Sequence, residues 1–435
     1  MNTAKTIIEK LSHDGRGIAR IQGKTTFIEG ALPGETVSFV YTKRKKDFDE
    51  GVVTAIEVAS NDRVEPKCPH FDVCGGCSLQ HIRADAQIEM KQTQLLDLFQ
   101  RVAHISPQSV LSPLSSSHWH YRHKARLSVR YVEKKAKLLV GFREKRNPRY
   151  LAEMEQCFIL NAQVSSLITP LSSFLQTLEA CRDIPQVEVA VGEDDVALII
   201  RHMRALSDED IRRLNAFGHA HQVCIFLQPA GMDSVHVLYP EARSPFLKYS
   251  LPAYDITFQF HPTDFTQIHP MLNQKMVERA LHLLELSPTD RVLDLFCGLG
   301  NFSLPMAKFC EHVYGVEGSD TMVARAGMNA QSNGIGNATF QCANLEDTDA
   351  MDQLAAYRVN KALIDPPRAG AMLFVKNIER FNLDRLVYIS CDPATLARDA
   401  AILNDKGFEL AAAGVMDMFP HTTHVESIAL FKLKR

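Results

Sequence analysis

Through residues 1–60 apolar and polar positions alternate in short runs. In "GKTTFIEGALPGETVSFVYTKRKKDFDEGVVTAIEV" β-rich stretches are separated by Gly and Pro turns. This pattern predicts short strands curled into a small barrel. In "DAQIEMKQTQLLDLFQRV" the apolar residues fall at helical spacing. The segment "VEVAVGEDDVALIIRHM" and the stretch before it predict an α+β middle region. From about Pro262 to the end, strand and helix patterns alternate, which predicts a mostly parallel sheet. Repeats and low-complexity tracts are lacking.

At 435 residues the chain is too long for one ordinary core, so two or three domains are expected. No apolar run reaches membrane-spanning length, and "MNTAKTIIEKLSHDGRG" lacks an apolar signal core. A cytoplasmic protein with no membrane partner is expected, and nothing demands more than a monomer. The net charge of −3 is unevenly spread. Between His118 and Tyr150 eleven Lys/Arg stand against Glu133 and Glu144, a local +9 that leaves −12 for the rest. A basic patch on an otherwise acidic chain suits a polyanion. Trp119, Tyr121, Tyr131 and Phe142, interleaved with it, are expected to add base stacking to phosphate attraction. The run Lys43–Lys46 reads as a loop tip placed for a further phosphate contact.

Ten cysteines in such a chain point to metal or catalytic use rather than to disulfides. Cys68, Cys74 and Cys77 form C-x5-C-x2-C, with Gly75 and Gly76 allowing a tight loop around a metal. Three ligands leave a tetrahedral centre one short. Cys157 in "EMEQCFIL" is the candidate fourth, with Cys181 also available. An all-cysteine set suits structural zinc or an iron–sulfur cluster.

"RVLDLFCGLGNFSLPMA" puts a buried strand, Val292–Phe296, before a glycine turn and a helix. Gly298 and Gly300 let backbone approach a ligand at the strand end, although Ser303 replaces the third glycine of a dinucleotide fingerprint. The next strands end in Glu317, placed for ribose hydroxyls, Asn344, placed for an adenine edge, and Asp365-Pro366-Pro367. NAD and S-adenosylmethionine both fit such a crevice; D-x-F-x-G-x-G-x-F followed by D-P-P favours the methyl donor.

In "LVYISCDPATLARD" Cys391 stands between a strand and a helix that Pro393 opens and Gly407 closes. A helix N-terminus lowers a thiol's pKa. A thiolate there can add to C6 of uracil, making C5 nucleophilic enough to accept a methyl group. Cys297, Cys310 and Cys342 read as inert fillers. A base must then remove the C5 proton. "FPHTTHVESIALFKL" offers His421, His424 and Glu426, and the residues alone do not choose between His424 and Glu426. Asp365 is placed to orient the base or the ring.

Together these blocks resemble the bacterial uracil-C5 RNA methyltransferases. The likeness is carried by "CPHFDVCGGCSLQH", "DFTQIHP", "LDLFCGLGNFSLPMA", "IDPPRAG", "SCDPATLARD" and "HVESIALF", and it spans nearly the whole chain. It implies a Rossmann-like α/β methyltransferase domain with a mostly parallel seven-stranded sheet, an N-terminal OB-like TRAM barrel and a small α+β iron–sulfur domain. The implied boundaries are 1–60 for the RNA-binding barrel, 61–92 with 120–262 for the iron–sulfur, RNA-binding domain, and 93–119 with 263–435 for the methyltransferase domain. It further implies that Cys68, Cys74, Cys77 and Cys157 ligate a 4Fe–4S cluster. Gln267, Phe296, Asn301, Glu317, Asn344 and Asp365 would contact S-adenosyl-L-methionine. Cys391 would be the nucleophile, Glu426 the general base and Asp365 a positioning group, giving 5-methyluridine through a covalent Cys–C6 intermediate.

Relatives that modify transfer RNA lack the cluster, and a shorter relative acting elsewhere on 23S ribosomal RNA lacks the barrel. Having both implies 23S ribosomal RNA as partner, with a dual-site 23S enzyme as the alternative and a transfer RNA enzyme behind it. Cytosine-C5 enzymes on RNA usually place a cysteine just after the D-P-P-type strand, and "DPPRAG" has none. Adenine-N6 enzymes usually place an aromatic after the prolines, where Arg368 stands. A non-catalytic RNA-binding iron–sulfur protein would leave Asp365, Cys391 and Glu426 at strand ends by coincidence.

Overall fold

The computed structural model describes residues 3–434. The alternating N-terminal segment forms six strands, ordered Thr3–Ile7, Thr36–Arg44, Phe48–Val58, Lys24–Glu29, Gly17–Ile21 and Lys10–Leu11 across one sheet. Backbone bonds from Ile8 N–H to Glu35 C=O (3.0 Å) and from Glu9 N–H to Ile18 C=O (2.8 Å) curl this sheet back on itself. Every second residue points inward, and Ile8, Ala19, Ile28, Val37 and Phe39 fill the small interior.

The middle region is a second six-stranded sheet, ordered His236–Tyr239, Cys224–Gln228, Val196–Arg201, Gln186–Val191, Lys124–Val132 and Lys137–Gly141. Helices Ala162–Leu175 and Asp208–His221 bury Leu167, Ile168, Leu171 and Leu214 in the same core, which is the expected α+β arrangement. The basic window spans the strands Lys124–Val132 and Lys137–Gly141 and the segments on either side of them. Arg126 and Arg130 point to solvent while Ala125, Leu127 and Val129 point inward.

The catalytic half is built on strands β1 (Arg291–Leu295), β2 (His312–Glu317), β3 (Ala338–Cys342), β4 (Lys361–Ile364), β5 (Arg385–Ser390), β6 (Phe408–Met416) and β7 (Glu426–Leu433). Their order is β3-β2-β1-β4-β5-β7-β6. Strands β1 to β5 run parallel, and β7 is antiparallel to both β5 and β6, so the sheet is mixed. An eighth strand, Ser109–Val110, extends the expected seven by pairing with the β6 edge. Two residues carry no periodicity, so its partner could be set only by the fold. The order reverses between β1 and β4, and a doubly wound sheet opens a crevice at that point.

Helix α1 (Ala84–Leu98) forms where helical spacing predicts it and packs on β6 and on helix α2 (Pro393–Asp405). Its buried face is not purely apolar: Gln87 and Lys91 are buried beside Ala86, Ile88 and Leu95. Among the described residues, no helix is long and apolar enough to cross a membrane.

Candidate active site

Strand β1 runs straight into a left-handed turn. Phe296 sits at φ 62°, followed by Gly298 at 55° and Gly300 at 93°. A phenylalanine held in this region stores strain of the kind that clusters at ligand sites. A Cβ added at Gly298 would meet only the Met322 methyl, at 3.8 Å, so the space over the turn is open. At the end of β2 the Glu317 carboxylate accepts the N–H of Gly298 (3.1 Å) and of Gly318 (2.8 Å). Those two bonds fix its orientation and leave acceptor capacity for a ligand's hydroxyls. Asp365 follows β4; its N–H bonds Leu295 C=O at 3.3 Å, which sets it beside Phe296. Gln267 donates to Asp365 at 3.4 Å.

Gln267, Phe296, Glu317 and Asp365 therefore converge on the β1/β4 crevice. Asn344 lies exposed beyond β3, with its Oδ1 on the Glu346 N–H at 3.0 Å. Asn301 is already engaged. It exchanges two amide bonds with Asn273, both 2.9 Å, and accepts from the Tyr249 hydroxyl at 3.0 Å.

Strands β5 and β7 pair antiparallel from Arg385↔Lys432 to Ser390↔Ser427. One more step along that register sets Cys391 across from Glu426. Ser427 Oγ donates to Ser390 C=O at 3.2 Å and holds the two strand ends together. Just beyond, Asp392 caps α2 by accepting from Ala394 N–H (2.9 Å) and Thr395 N–H (3.3 Å). Cys391 is half-buried and opens on a cleft of about 1010 Å3 bounded by the barrel, α1, Arg368 and Thr423–Val425. Glu426 is 5% exposed.

The electrostatics reverse one expectation. The helix N-terminus was to lower the Cys391 thiol. Burial, reinforced by Glu426 and Asp365, instead pushes it up to about 11, against the Arg368 guanidinium. Burial raises Asp365 to about 7. Glu426 is held well above its usual range, by burial first and Asp365 second, with Lys91 opposing. Local sequence shows the helix start; it does not show two carboxyl groups from distant strands crowding the same dry corner.

The two histidines behave differently from Glu426. His421 is buried, stacked on Trp119 with ring centroids 4.1 Å apart, and its Nδ1 lies 3.2 Å from Gln87 Nε2. His424 is exposed at the cleft, with its Nδ1 3.4 Å from an Arg368 nitrogen. Glu426 is the one of the three that the β5/β7 register places opposite Cys391.

All ten cysteines are free. Cys68, Cys74, Cys77 and Cys157 line one small cavity with Phe71, Gln80, Phe142, Met154 and Phe158, and Cys181 is not among its walls. Burial pushes Cys77 up to about 12 and Cys157 to about 11, and the neighbouring thiols add to both shifts. Among the described residues, no three His, Cys, Asp or Glu side chains stand close enough to hold a single ion. The four thiols around one cavity are an all-cysteine donor set.

The tRNA (Uracil-5-)-methyltransferase family model matches residues 83–434, and the TRAM domain model matches residues 4–38. The chain is 57% identical over 426 residues to the 23S rRNA (uracil(1939)-C(5))-methyltransferase RlmD of Legionella pneumophila strain Corby, covering 98% of this chain and 96% of that one. The protein of the same name from Francisella tularensis subsp. novicida is 49% identical over 430 residues, covering 98% and 96%. The chain belongs to the RNA uracil-5 methyltransferase family. Its fold superimposes on the Pyrococcus abyssi tRNA (uracil-54, C5)-methyltransferase solved with S-adenosyl-L-homocysteine, with a TM-score of 0.74 at 22% identity, covering 98% of this chain and all of that one.

For a uracil-5 methyltransferase, the sequence reading misplaced one set of residues and missed another. The four rings Trp119, Tyr121, Tyr131 and Phe142 are engaged in packing and do not form one stacking surface. Tyr121 is 3% exposed with its hydroxyl on Pro420 C=O, and Trp119 covers His421. Phe142 walls the cysteine cavity, and Tyr131 lies beneath Arg182. Tyr131 follows the inward alternation of Ala125, Leu127 and Val129; Trp119, Tyr121 and Phe142 lie outside the strands and are held by tertiary packing. An aromatic outside the window that stands exposed is Phe265, at 67%, two residues from Gln267. Asp294, which opens the D-x-F-x-G-x-G-x-F pattern but received no role of its own, is buried at β1, bonds Ser303 and leaves Oδ1 without a partner. An aromatic in a polar "TDFTQ" loop was the available signal for Phe265.

Proposed function

We propose that this chain transfers a methyl group from S-adenosyl-L-methionine to C5 of a uridine in 23S ribosomal RNA, at the position numbered 1939 in the names of its relatives. What supports this reading is the β5/β7 ladder, which ends at Ser390↔Ser427 with Cys391 and Glu426 the next residues on the two strands, together with Cys391 lining a cleft and Glu426 and Asp365 both bearing on its thiol. Cys391, as thiolate, adds to C6 of the uracil and makes C5 an enolate carbon. C5 takes the methyl group, the Glu426 carboxylate removes the C5 proton, and the Cys391 sulfur leaves as the C5–C6 double bond re-forms. Asp365, linked to Gln267, orients the ring or the base. A target base must leave its stack to enter the cleft.

Gln267, Phe296, Asn301, Glu317, Asn344 and Asp365 would hold the methyl donor, which supplies an electrophilic methyl carbon. Cys68, Cys74, Cys77 and Cys157 would hold a 4Fe–4S cluster, which would tie the loop of residues 68–77 to Cys157 as a covalent brace. The barrel and the outward arginines of the middle sheet would take the RNA backbone. The test is incubation with the donor and a 23S transcript containing 5-fluorouridine. Fluorine at C5 cannot leave as a proton, so a covalent adduct on the Cys391 peptide should appear by mass. An enzyme that methylates ordinary transcript but forms no such adduct would refute the mechanism.

A further inference from the structure

Helix α1 reaches the end of β6 and the connection to β7 with three polar side chains. Gln87 Oε1 accepts the His421 N–H at 2.9 Å. One turn on, Lys91, 0% exposed, donates to Asp417 Oδ1 at 2.7 Å and to Phe419 C=O at 3.1 Å. Gln92 Oε1 accepts the Val415 N–H at 3.0 Å. Other positions on the helix, Glu89, Met90, Thr93 and Gln94, line the cleft that leads to Cys391.

A helix lying on a sheet ordinarily buries apolar side chains, and a buried ammonium is tolerated only when paired and bonded. Here the pair anchors an irregular segment that ends at Glu426. The groups whose charge bears on Glu426 come from the strands and helix around it: Asp365 after β4, Cys391 after β5 and Lys91 from α1. Lys91 is the positive one. Asp417 also stands 3.9 Å from His118 Nε2, outside hydrogen-bond range, so its firm contact is Lys91.

We propose that Lys91 is a positioning residue for Glu426: it clamps residues 417–425 through Asp417 and Phe419 and sets a positive charge against the carboxylate that takes the C5 proton, a role that rests on the base assignment above. Burial and Asp365 make Glu426 harder to ionise, and the ammonium makes it easier. Its removal therefore moves the acid limb of the rate profile to higher pH.

The paired variant Lys91→Met/Asp417→Asn removes both charges together, so neither is left buried and unpartnered. Turnover of the full-length protein on a 23S transcript is followed against pH, beside Glu426→Gln and Lys91→Arg, with denaturing gels for covalent protein–RNA adduct. Glu426→Gln should accumulate a methylated adduct that cannot eliminate. The paired variant should accumulate less of it and shift the acid limb up by about one unit, about tenfold in rate on that limb. Lys91→Arg, which keeps the charge, should leave the limb in place. A trapping Glu426→Gln beside a paired variant with an unmoved limb overturns the Lys91 role alone, as does an equal shift in Lys91→Arg. Failure of Glu426→Gln to trap overturns the base assignment itself.

Discussion

Cys391 should be a sluggish thiol in the free protein. Burial and two carboxyl groups hold it near 11. At pH 8 its thiolate fraction is then about one in a thousand, against about a quarter for an ordinary thiol of pKa about 8.5. A more basic thiolate is intrinsically more nucleophilic, which recovers about tenfold of that roughly 250-fold deficit. Alkylation of Cys391 by iodoacetamide at pH 8 should thus run about 25-fold slower than that of a cysteine in a short blocked peptide. Quenched time points, digestion and mass spectrometry of the Cys391 peptide give the rate. Its logarithm should climb with unit slope through pH 10. Arg368→Gln should slow it further, and because Arg368 is exposed that effect should fade as salt is added. A reaction as fast as the reference thiol, or a break in slope below pH 8.5, would refute the argument. It would mean that the helix start, rather than burial and the carboxyls, governs this sulfur.

Asp365→Asn should inactivate the enzyme yet stabilise it. The folded carboxyl is raised from 3.8 to about 7, so its cost to the fold is absent below pH 4 and complete above pH 7, and the variant's gain should follow that course. After discounting for water near the crevice the gain is about 2 kcal/mol at pH 8, readable by denaturant titration, and an equal gain at pH 4 would contradict it. Protein purified without oxygen should be brown and contain iron. Cys157→Ser should lose that colour and Cys181→Ser keep it, whereas a colourless zinc-loaded sample would exclude the cluster. RNA affinity should fall steeply with salt, and Arg130→Gln with Lys134→Gln should lower the log–log slope by about 2; an unchanged slope removes this face from the interface.

The order of elements was legible because each rests on neighbouring residues. Period-two alternation gave the barrel strands, helical spacing gave α1, and strand–glycine–helix punctuation placed Gly298, Glu317 and Asp365 at strand ends. The strand-to-helix turn that carries Cys391 was legible too, from the apolar run before it and Pro393 after it. What remained open depended on pairings between residues far apart in the chain. His424 and Glu426 are equivalent on paper until the β5/β7 register carries Glu426 to Cys391. Cys157 and Cys181 differ only in which of them faces the cavity. The direction of the thiol's shift, the turning of Trp119 and Tyr121 toward the interior, and the burial of Lys91 against Asp417 belong to the same class. Local sequence sets periodicity and punctuation through backbone sterics and side-chain spacing. Burial and charge proximity arise only when separate strands are brought within a few ångströms, and those two quantities decide how each side chain in this site behaves.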